Sequence, residues 1–119
     1  MAWSFSQDRP VYIQISERII MSVLSGQYAA GEQIPSVRQL ALQAAVNPNT
    51  VQHAFSELES EGIIVSKGTM GRYVTGDTAV IEICRKKMLE DLVKDFIGKA
   101  QRLRVTKEQI ISILKEEMQ

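Results

Sequence analysis

The stretch from residue 36 to residue 58, SVRQLALQAAVNPNTVQHAFSEL, decides the fold because it holds two short amphipathic helices with almost no chain between them. Ser36 is followed three residues later by Gln39, which is the spacing of a capping box at a helix start. Asn47 and Pro48 then supply an N-cap and a first-turn proline for a further helix. The stretch therefore predicts two helices joined by a very short turn.

The buried faces of this helix pair follow from the spacing of its apolar residues. They are Leu40, Ala41 and Ala44 in the first helix, and Val51, Phe55 and Leu58 in the second. Upstream, apolar residues recur at every fourth position from residue 11 to residue 23, which predicts a helix from Pro10 to Leu24 that stops at Gly26. A helix therefore precedes the pair.

Downstream, residues 63–65 and 73–75 are rich in β-branched and aromatic side chains, and Gly68 and Gly71 lie between them, which predicts a hairpin. Three helices followed by a hairpin are the order of a winged helix-turn-helix. We therefore predict a mainly α fold with a small β-hairpin, in which residues 1–76 form a winged helix-turn-helix DNA-binding domain.

Residues 77–119 are predicted to form a short two-helix C-terminal region. Thr106 and Gln109 repeat the capping-box spacing at the start of the last helix. The helix before it carries an apolar stripe wide enough to bury two surfaces, one against the last helix and one against a partner subunit. The predicted dimerisation residues are Ile81, Cys84, Met88, Leu92 and Phe96. The alternative is the self-contained core of one monomer.

Composition excludes several classes of protein. The 119 residues carry 14 Lys+Arg and 14 Asp+Glu, so the net charge is zero, and one cysteine forbids an internal disulfide. No signal peptide or membrane span is found, which predicts a cytoplasmic protein without a membrane partner. The only His and the only Cys fall in different segments, so we expect no enzyme, metal or cofactor. His53 and Glu57, one helical turn apart, could supply only two ligands to a zinc ion. The alternative is an ordinary side-chain pair on one helix.

The second helix of the pair carries an uncharged polar face after its core positions are removed. Asn49, Gln52, His53 and Ser56 share that face, and Asn and Gln can pair bidentately with adenine in the major groove. Thr50 is placed for a phosphate or a thymine methyl group, and the helix N-terminus is a predicted phosphate seat. No acidic residue occurs from residue 34 to residue 56. The alternative is a merely solvated face.

The run GEQIPSVRQLA at residues 31–41 resembles the signature of the GntR family of bacterial transcription regulators. NPNTV at residues 47–51 and PVYIQI at residues 10–15 are similar to its YtrA-type branch. The resemblance implies a homodimeric repressor of a pseudo-palindromic operator in double-stranded DNA, often of a transporter operon. It implies DNA contacts from Arg38, from the start of the third helix and from the wing. The predicted DNA-binding residues are Ser36, Arg38, Asn47, Asn49, Thr50, Gln52, His53, Lys67, Gly68, Thr69 and Arg72.

Two questions stay open from the sequence. The tail is too short for the larger ligand-binding domains of other branches, so a small-molecule effector would need a pocket between helices or at a dimer interface, and none is identifiable. The zero net charge also fits a different function, a winged-helix module for protein or RNA contact. Cys84 is a packing residue in one interpretation and a redox-sensing thiol in the other.

Overall fold

The structure, a computed structural model, describes residues 2–119. The helices are α1 (Val11–Leu24), α2 (Val37–Ala44), α3 (Pro48–Ser60), α4 (Thr78–Gln101) and α5 (Lys107–Glu117). The strands β1 (Ile64–Ser66) and β2 (Arg72–Val74) pair antiparallel and are joined through a 3₁₀ turn at Gly68–Met70. The predicted fold class, mainly α with a small hairpin, is confirmed.

The predicted helix starts are confirmed at α2, α3 and α5, and corrected by one residue at α1. The Ser36 and Gln39 capping box is complete, because Gln39 N donates to Ser36 Oγ over 3.1 Å and Ser36 N donates to Gln39 Oε1 over 2.8 Å. Thr106 and Gln109 form the same box. Pro10 is the N-cap of α1 and not its first helical residue, because its ψ of 142° is extended.

The core of the first unit lies where α1, α2 and α3 pack beside the sheet. Its most deeply buried large side chains are Ile15, Ile19, Leu40, Val51, Phe55, Leu58, Ile64 and Val74. All the apolar positions predicted for α2 and α3 are buried. Burying a side chain of this size stabilises a fold by about 1.5–3 kcal/mol, so this core holds the recognition elements in place.

Residues 32–34 run along the second edge of β2, a pairing that no sequence pattern predicted. Ile34 N donates to the Arg72 carbonyl over 3.0 Å, and Val74 N donates to the Glu32 carbonyl over 2.8 Å. Gln33 faces Tyr73 in an antiparallel bridge. The segment that leads into α2 is therefore bonded directly to the hairpin.

The chain divides into two compact units between Ile83 and Cys84, inside α4, and not at residue 76 where the composition changes. Asp77 Oδ1 accepts a hydrogen bond from Ala79 N over 3.0 Å and so caps the start of α4. Because Ile81 is buried, the beginning of α4 is part of the first unit. The second unit contains the rest of α4 and all of α5. No helix within residues 2–119 has the length and apolar content needed to cross a bilayer.

Candidate nucleic-acid interface

The turn between α2 and α3 is only three residues long, from Ala45 to Asn47. Ala45 adopts the left-handed conformation, with φ 58° and ψ 51°, and Val46 N donates to the Ala41 carbonyl over 3.1 Å. A residue with a Cβ pays a steric penalty of about 1 kcal/mol in this conformation. The conformation reverses the chain at once, so α3 starts immediately beside α2.

The amino terminus of α3 is closed to phosphate, contrary to the prediction. Pro48 has no N–H, and Asn49 N donates to Asn47 Oδ1 over 2.8 Å. Thr50 N and Val51 N both donate to the Asn47 carbonyl. Because the cap uses every donor of the first turn, an anion finds no unpaired N–H there. Asn47 acts as a cap, and its side-chain oxygen is already occupied.

The amino terminus of α2 is open instead. Within residues 2–119, the N–H groups of Val37 and Arg38 have no hydrogen-bond acceptor, and the guanidinium of Arg38 is exposed without an ion-pair partner. The two N–H groups and the positive end of the helix dipole attract anions. The phosphate seat predicted for α3 is therefore better provided by α2. Ser36, like Asn47, is a cap, because its hydroxyl accepts from Gln39 N.

The predicted polar face of α3 is present, and one of its members has an unexpected partner. Asn49, Gln52, His53 and Ser56 are all exposed, while Thr50 is half-buried at the edge of the face. The imidazole of His53 stacks on the ring of Tyr12 from α1, with centroids 3.6 Å apart. The face that we assigned to base readout is therefore solvent-accessible, and the His53 ring on it has a fixed plane.

The wing is a tight structure with two glycines in the left-handed region, Gly68 at φ 62° and Gly71 at φ 98°. Lys67 N donates to the Gly71 carbonyl over 2.9 Å, and the Lys67 ammonium lies 4.4 Å from the ring centroid of Tyr73. Gly68 and Thr69 are exposed at the tip. Lys67, Gly68 and Thr69 are thus together on the wing, as predicted, and Tyr73 holds the lysine against it.

Arg72 is the predicted DNA-binding residue that the structure places elsewhere. Its Nε donates to Glu59 Oε1 over 2.7 Å, and its guanidinium carbon lies 5.1 Å from the ring centroid of Phe55. The side chain is only 24% exposed. Because residues alternate between the two faces of a strand, Arg72 and Tyr73 point to opposite faces, and Arg72 joins the wing to α3.

Few cations remain for phosphate in the first 76 residues. Their five Lys and Arg residues are Arg9, Arg18, Arg38, Lys67 and Arg72. Arg9 is paired with Glu17, Arg18 lies over the Trp3 ring and Arg72 is paired with Glu59. Lys67 also lies over a ring, that of Tyr73, but it does so on the exposed wing. Arg38 and Lys67 are therefore the two cations of residues 2–76 that lie on elements predicted to contact DNA and have no acidic partner.

Three residues that bear on the site were missed from the sequence: Tyr12, Gln33 and Tyr73. Tyr12 orders His53, and Tyr73 orders Lys67. The side-chain amide of Gln33 donates to the Met70 carbonyl at the wing tip over 2.7 Å. No sequence signal identifies these pairs, because each joins residues that are distant in the chain or lie on different elements.

The second unit contains a groove between α4 and α5 with a volume of about 620 Å³. Its lining residues are Leu92, Val93, Phe96, Ile97, Gln101, Val105, Lys107, Ile110, Ile111 and Leu114. Leu92 is 65% exposed and Phe96 is 44% exposed, so two of the predicted dimerisation residues line an open apolar surface. Cys84 and Met88 are half-buried, whereas Ile81 is already buried.

Residues 2–119 contain no group of three or more His, Cys, Asp and Glu side chains arranged to hold a metal ion. His53 stacks on Tyr12. The functional features of the first unit are the exposed face of α3, the open start of α2 and the wing.

These features define a winged helix-turn-helix, a class of DNA-binding domains in which one helix enters the major groove. The sequence profile of the "Bacterial regulatory proteins, gntR family" matches residues 11–74, more than half of the chain. The chain therefore belongs to the GntR family and, as its resemblance to YtrA proteins indicates, is of the YtrA type.

Three similar proteins illustrate this membership. The transcriptional repressor YtrA of Bacillus subtilis is 35% identical over 109 residues, which cover 90% of this chain and 83% of that protein. A GntR family regulator from Listeria monocytogenes is 37% identical, with a TM-score of 0.89 and coverage of 94% and 98%. The DNA-binding domain of AraR in complex with operator ORX1 is 26% identical, with a TM-score of 0.56 and coverage of 63% and 92%.

The family assignment confirms two predictions. The protein is a DNA-binding transcriptional regulator. It is not an enzyme, because the family and the homologues are regulators.

Proposed function

We propose that the protein is a homodimeric repressor that binds a pseudo-palindromic operator and blocks transcription from it. The observation that carries this proposal is the exposed, uncharged polar face of α3, on which Asn49 and Gln52 are free to contact base edges. Side-chain amides of this kind hydrogen-bond the N6 and N7 atoms of adenine. The repressor role is supported by the similarity to YtrA of Bacillus subtilis.

On each half-site, α3 enters the major groove and the start of α2 contacts the backbone. The Arg38 guanidinium binds either a phosphate or the O6 and N7 atoms of guanine. Lys67, Gly68 and Thr69 contact the neighbouring backbone or minor groove from the wing. Glu57 and Glu59 lie near the carboxyl end of α3 and Glu61 is its C-cap, so all three are away from the DNA-facing start. Repulsion from phosphate is thereby limited.

We propose that a second copy of the chain covers the groove of the second unit when the protein dimerises. Large apolar side chains as exposed as Leu92 and Phe96, gathered around one cavity, are unusual on a monomer and typical of an interface. A second copy offers the same apolar surface, and a two-fold axis would pair the two surfaces with each other. The same axis would place the two α3 helices on half-sites separated by about one or two turns of DNA.

The regulated genes are proposed to include a transporter operon, as the YtrA-type resemblance suggests. Such a repressor would act in the cytoplasm, where the operator DNA is. A small-molecule effector is the alternative occupant of the apolar groove. No ligand class is assigned to it.

The DNA-binding proposal is tested by mobility shift with the DNA upstream of the protein's own gene. We expect a single complex that contains one dimer and resists competition by a scrambled duplex of the same length. Failure to bind at any low salt concentration, combined with binding to RNA or to a protein, would favour the alternative winged-helix module.

The dimer proposal is tested by sedimentation of the full chain and of two matched variants. Phe96→Asp places a charge in the groove and is expected to give a monomer, because burying an unpaired carboxylate is strongly unfavourable. Leu103→Asp is the control, since Leu103 is 74% exposed and does not line the groove. Equal dimerisation of both variants would place the interface elsewhere. A small ligand that displaces the partner would identify the groove as an effector site.

A further inference from the structure

Gln33 lies between the two parts of the domain that are assigned to the DNA backbone. It is three residues before the cap of α2, and its Nε2 donates to the Met70 carbonyl at the wing tip over 2.7 Å. This contact joins residues 37 positions apart in the chain. It is the hydrogen bond that fastens the tip of the wing to the segment leading into α2.

The backbone of the wing leaves room for this amide. A Cβ placed on Gly71 would lie 2.9 Å from Gln33 Nε2, which is closer than carbon and nitrogen atoms pack. Gly71 also has a φ of 98°, a conformation that side chains disfavour. The Gln33 side chain therefore lies against the wing backbone at Gly71, where a residue with a Cβ would displace it.

The turn is closed by its own backbone bonds, from Lys67 N to the Gly71 carbonyl and from Met70 N to the Lys67 carbonyl, but these do not join it to the rest of the domain. Met70 is 65% exposed, and Gly68 and Thr69 are exposed as well, so no apolar anchor fixes the turn. The ladder between residues 32–34 and β2 ends at the bond from Ile34 N to the Arg72 carbonyl, two residues before the tip carbonyl. Among residues 2–119, the Gln33 amide is the group whose hydrogen bond connects this ladder to Met70.

We propose that Gln33 is a positioning residue for DNA binding, which holds the wing tip and its Lys67 at a fixed distance from Arg38 and the open start of α2. The inference rests on the proposed DNA contacts of these two cations. A wing that is ordered before binding loses less conformational entropy on the DNA, and so binds more tightly. One of the two Nε2 hydrogens of Gln33 is engaged by the Met70 carbonyl, and the double-mutant cycle below distinguishes this positioning role from a phosphate contact by the second hydrogen.

The test measures operator affinity and wing order together. Gln33→Ala is expected to lower the affinity of the dimer about fivefold, which is about twofold for each protomer, because the wing must then be ordered on binding. Amide hydrogen exchange within residues 67–71 should accelerate, while exchange in α3 stays unchanged. Gln33→Glu should show the same two effects as Gln33→Ala, because a carboxylate cannot donate a hydrogen bond to the Met70 carbonyl. Gln27→Ala, an exposed glutamine in the α1–α2 connection with no hydrogen bond in residues 2–119, is the control.

A double-mutant cycle with Lys67→Ala separates positioning from an independent contact. If Gln33 acts by placing the wing, Lys67→Ala will cost much less affinity in the Gln33→Ala background than in the unmodified chain. Additive losses, or an unchanged affinity of Gln33→Ala, would overturn the inference while leaving operator binding intact. Failure of the unmodified chain to bind any operator would instead overturn the proposed function, and the positioning role with it.

Discussion

The imidazole of His53 lies face to face with the phenol ring of Tyr12, with ring centroids 3.6 Å apart and planes inclined by 11°. This stack joins α1 to the exposed face of α3. His53 was predicted as a DNA contact, and its ring remains exposed at the edge of the stack. The contact therefore restricts the His53 rotamer on the very face that is proposed to enter the major groove.

Tyr12→Ala is expected to lower both stability and DNA affinity. Aromatic pairs contribute about 0.5–1.5 kcal/mol beyond the area they bury, and the freed His53 ring must be ordered again on binding. Urea unfolding and operator titration measure the two effects. Tyr12→Phe keeps the stacked ring and should have the stability and the operator affinity of the unmodified chain. If Tyr12→Phe is as impaired as Tyr12→Ala, the hydroxyl and not the stack is what matters.

Lys67→Ala is expected to weaken binding to all DNA sequences alike. Loss of one phosphate contact in each protomer should reduce the slope of log affinity against log salt by about one per protomer. With Arg38 and Lys67 as the available cations, two in each of two protomers, the slope of the unmodified dimer is expected to be only about −4. Titrations at several salt concentrations test this, with Lys115→Ala in α5 as the charge-matched control. An unchanged slope would remove Lys67 from the interface.

Arg72→Ala should act on stability and leave the salt dependence of binding unchanged. The ion pair with Glu59 and the contact with the Phe55 ring are partly exposed, so we expect a loss of about 1 kcal/mol in the free energy of unfolding. Denaturant unfolding measures it. Glu59→Gln should produce part of the same loss, and the double variant should be less destabilised than the sum. A salt slope that falls with Arg72→Ala would show that Arg72 contacts phosphate after all.

Gln52→Ala is expected to change base preference. Loss of a bidentate contact should relax discrimination at one base pair of each half-site by about 1–3 kcal/mol, while affinity for unrelated DNA stays the same. Selection from a randomised operator library measures the preference. Ser60→Ala, at the carboxyl end of α3, is the control. Equal loss on every sequence would contradict a readout role for Gln52.

Tyr28 gives a prediction for alkaline pH. Partial burial, reinforced by the negative charge of Glu32, raises the pKa of the Tyr28 phenol above its ordinary value of 10.0. The folded chain therefore keeps a proton that the unfolded chain releases above this pH, so stability is complete below about pH 10 and falls as pH rises further. Urea unfolding at about pH 8 and pH 10.5 should show a smaller decline for Tyr28→Phe. An identical decline would assign the effect to other groups.

The capping boxes and the apolar spacing in the sequence predicted the helices closely. Ser36 with Gln39, and Asn47 with Pro48, are local signals, because a cap satisfies donors within its own first turn. The polar face of α3 could also be located from the sequence, because it follows from the spacing of residues within one helix. The phosphate seat predicted at the start of α3 is not supported, because Pro48 has no N–H and Asn47 accepts from the remaining N–H groups of the first turn.

The sequence alone determined the element order, the buried faces and the family, all of which depend on residues near one another in the chain. Only the tertiary structure decided which polar side chains are available for DNA. Arg72 turns to Glu59 and Lys67 lies on Tyr73, although both flank the same turn. Gln33 fastens a wing tip 37 residues away. Such pairings depend on how distant segments pack against a shared core, and local periodicity carries no information about that packing.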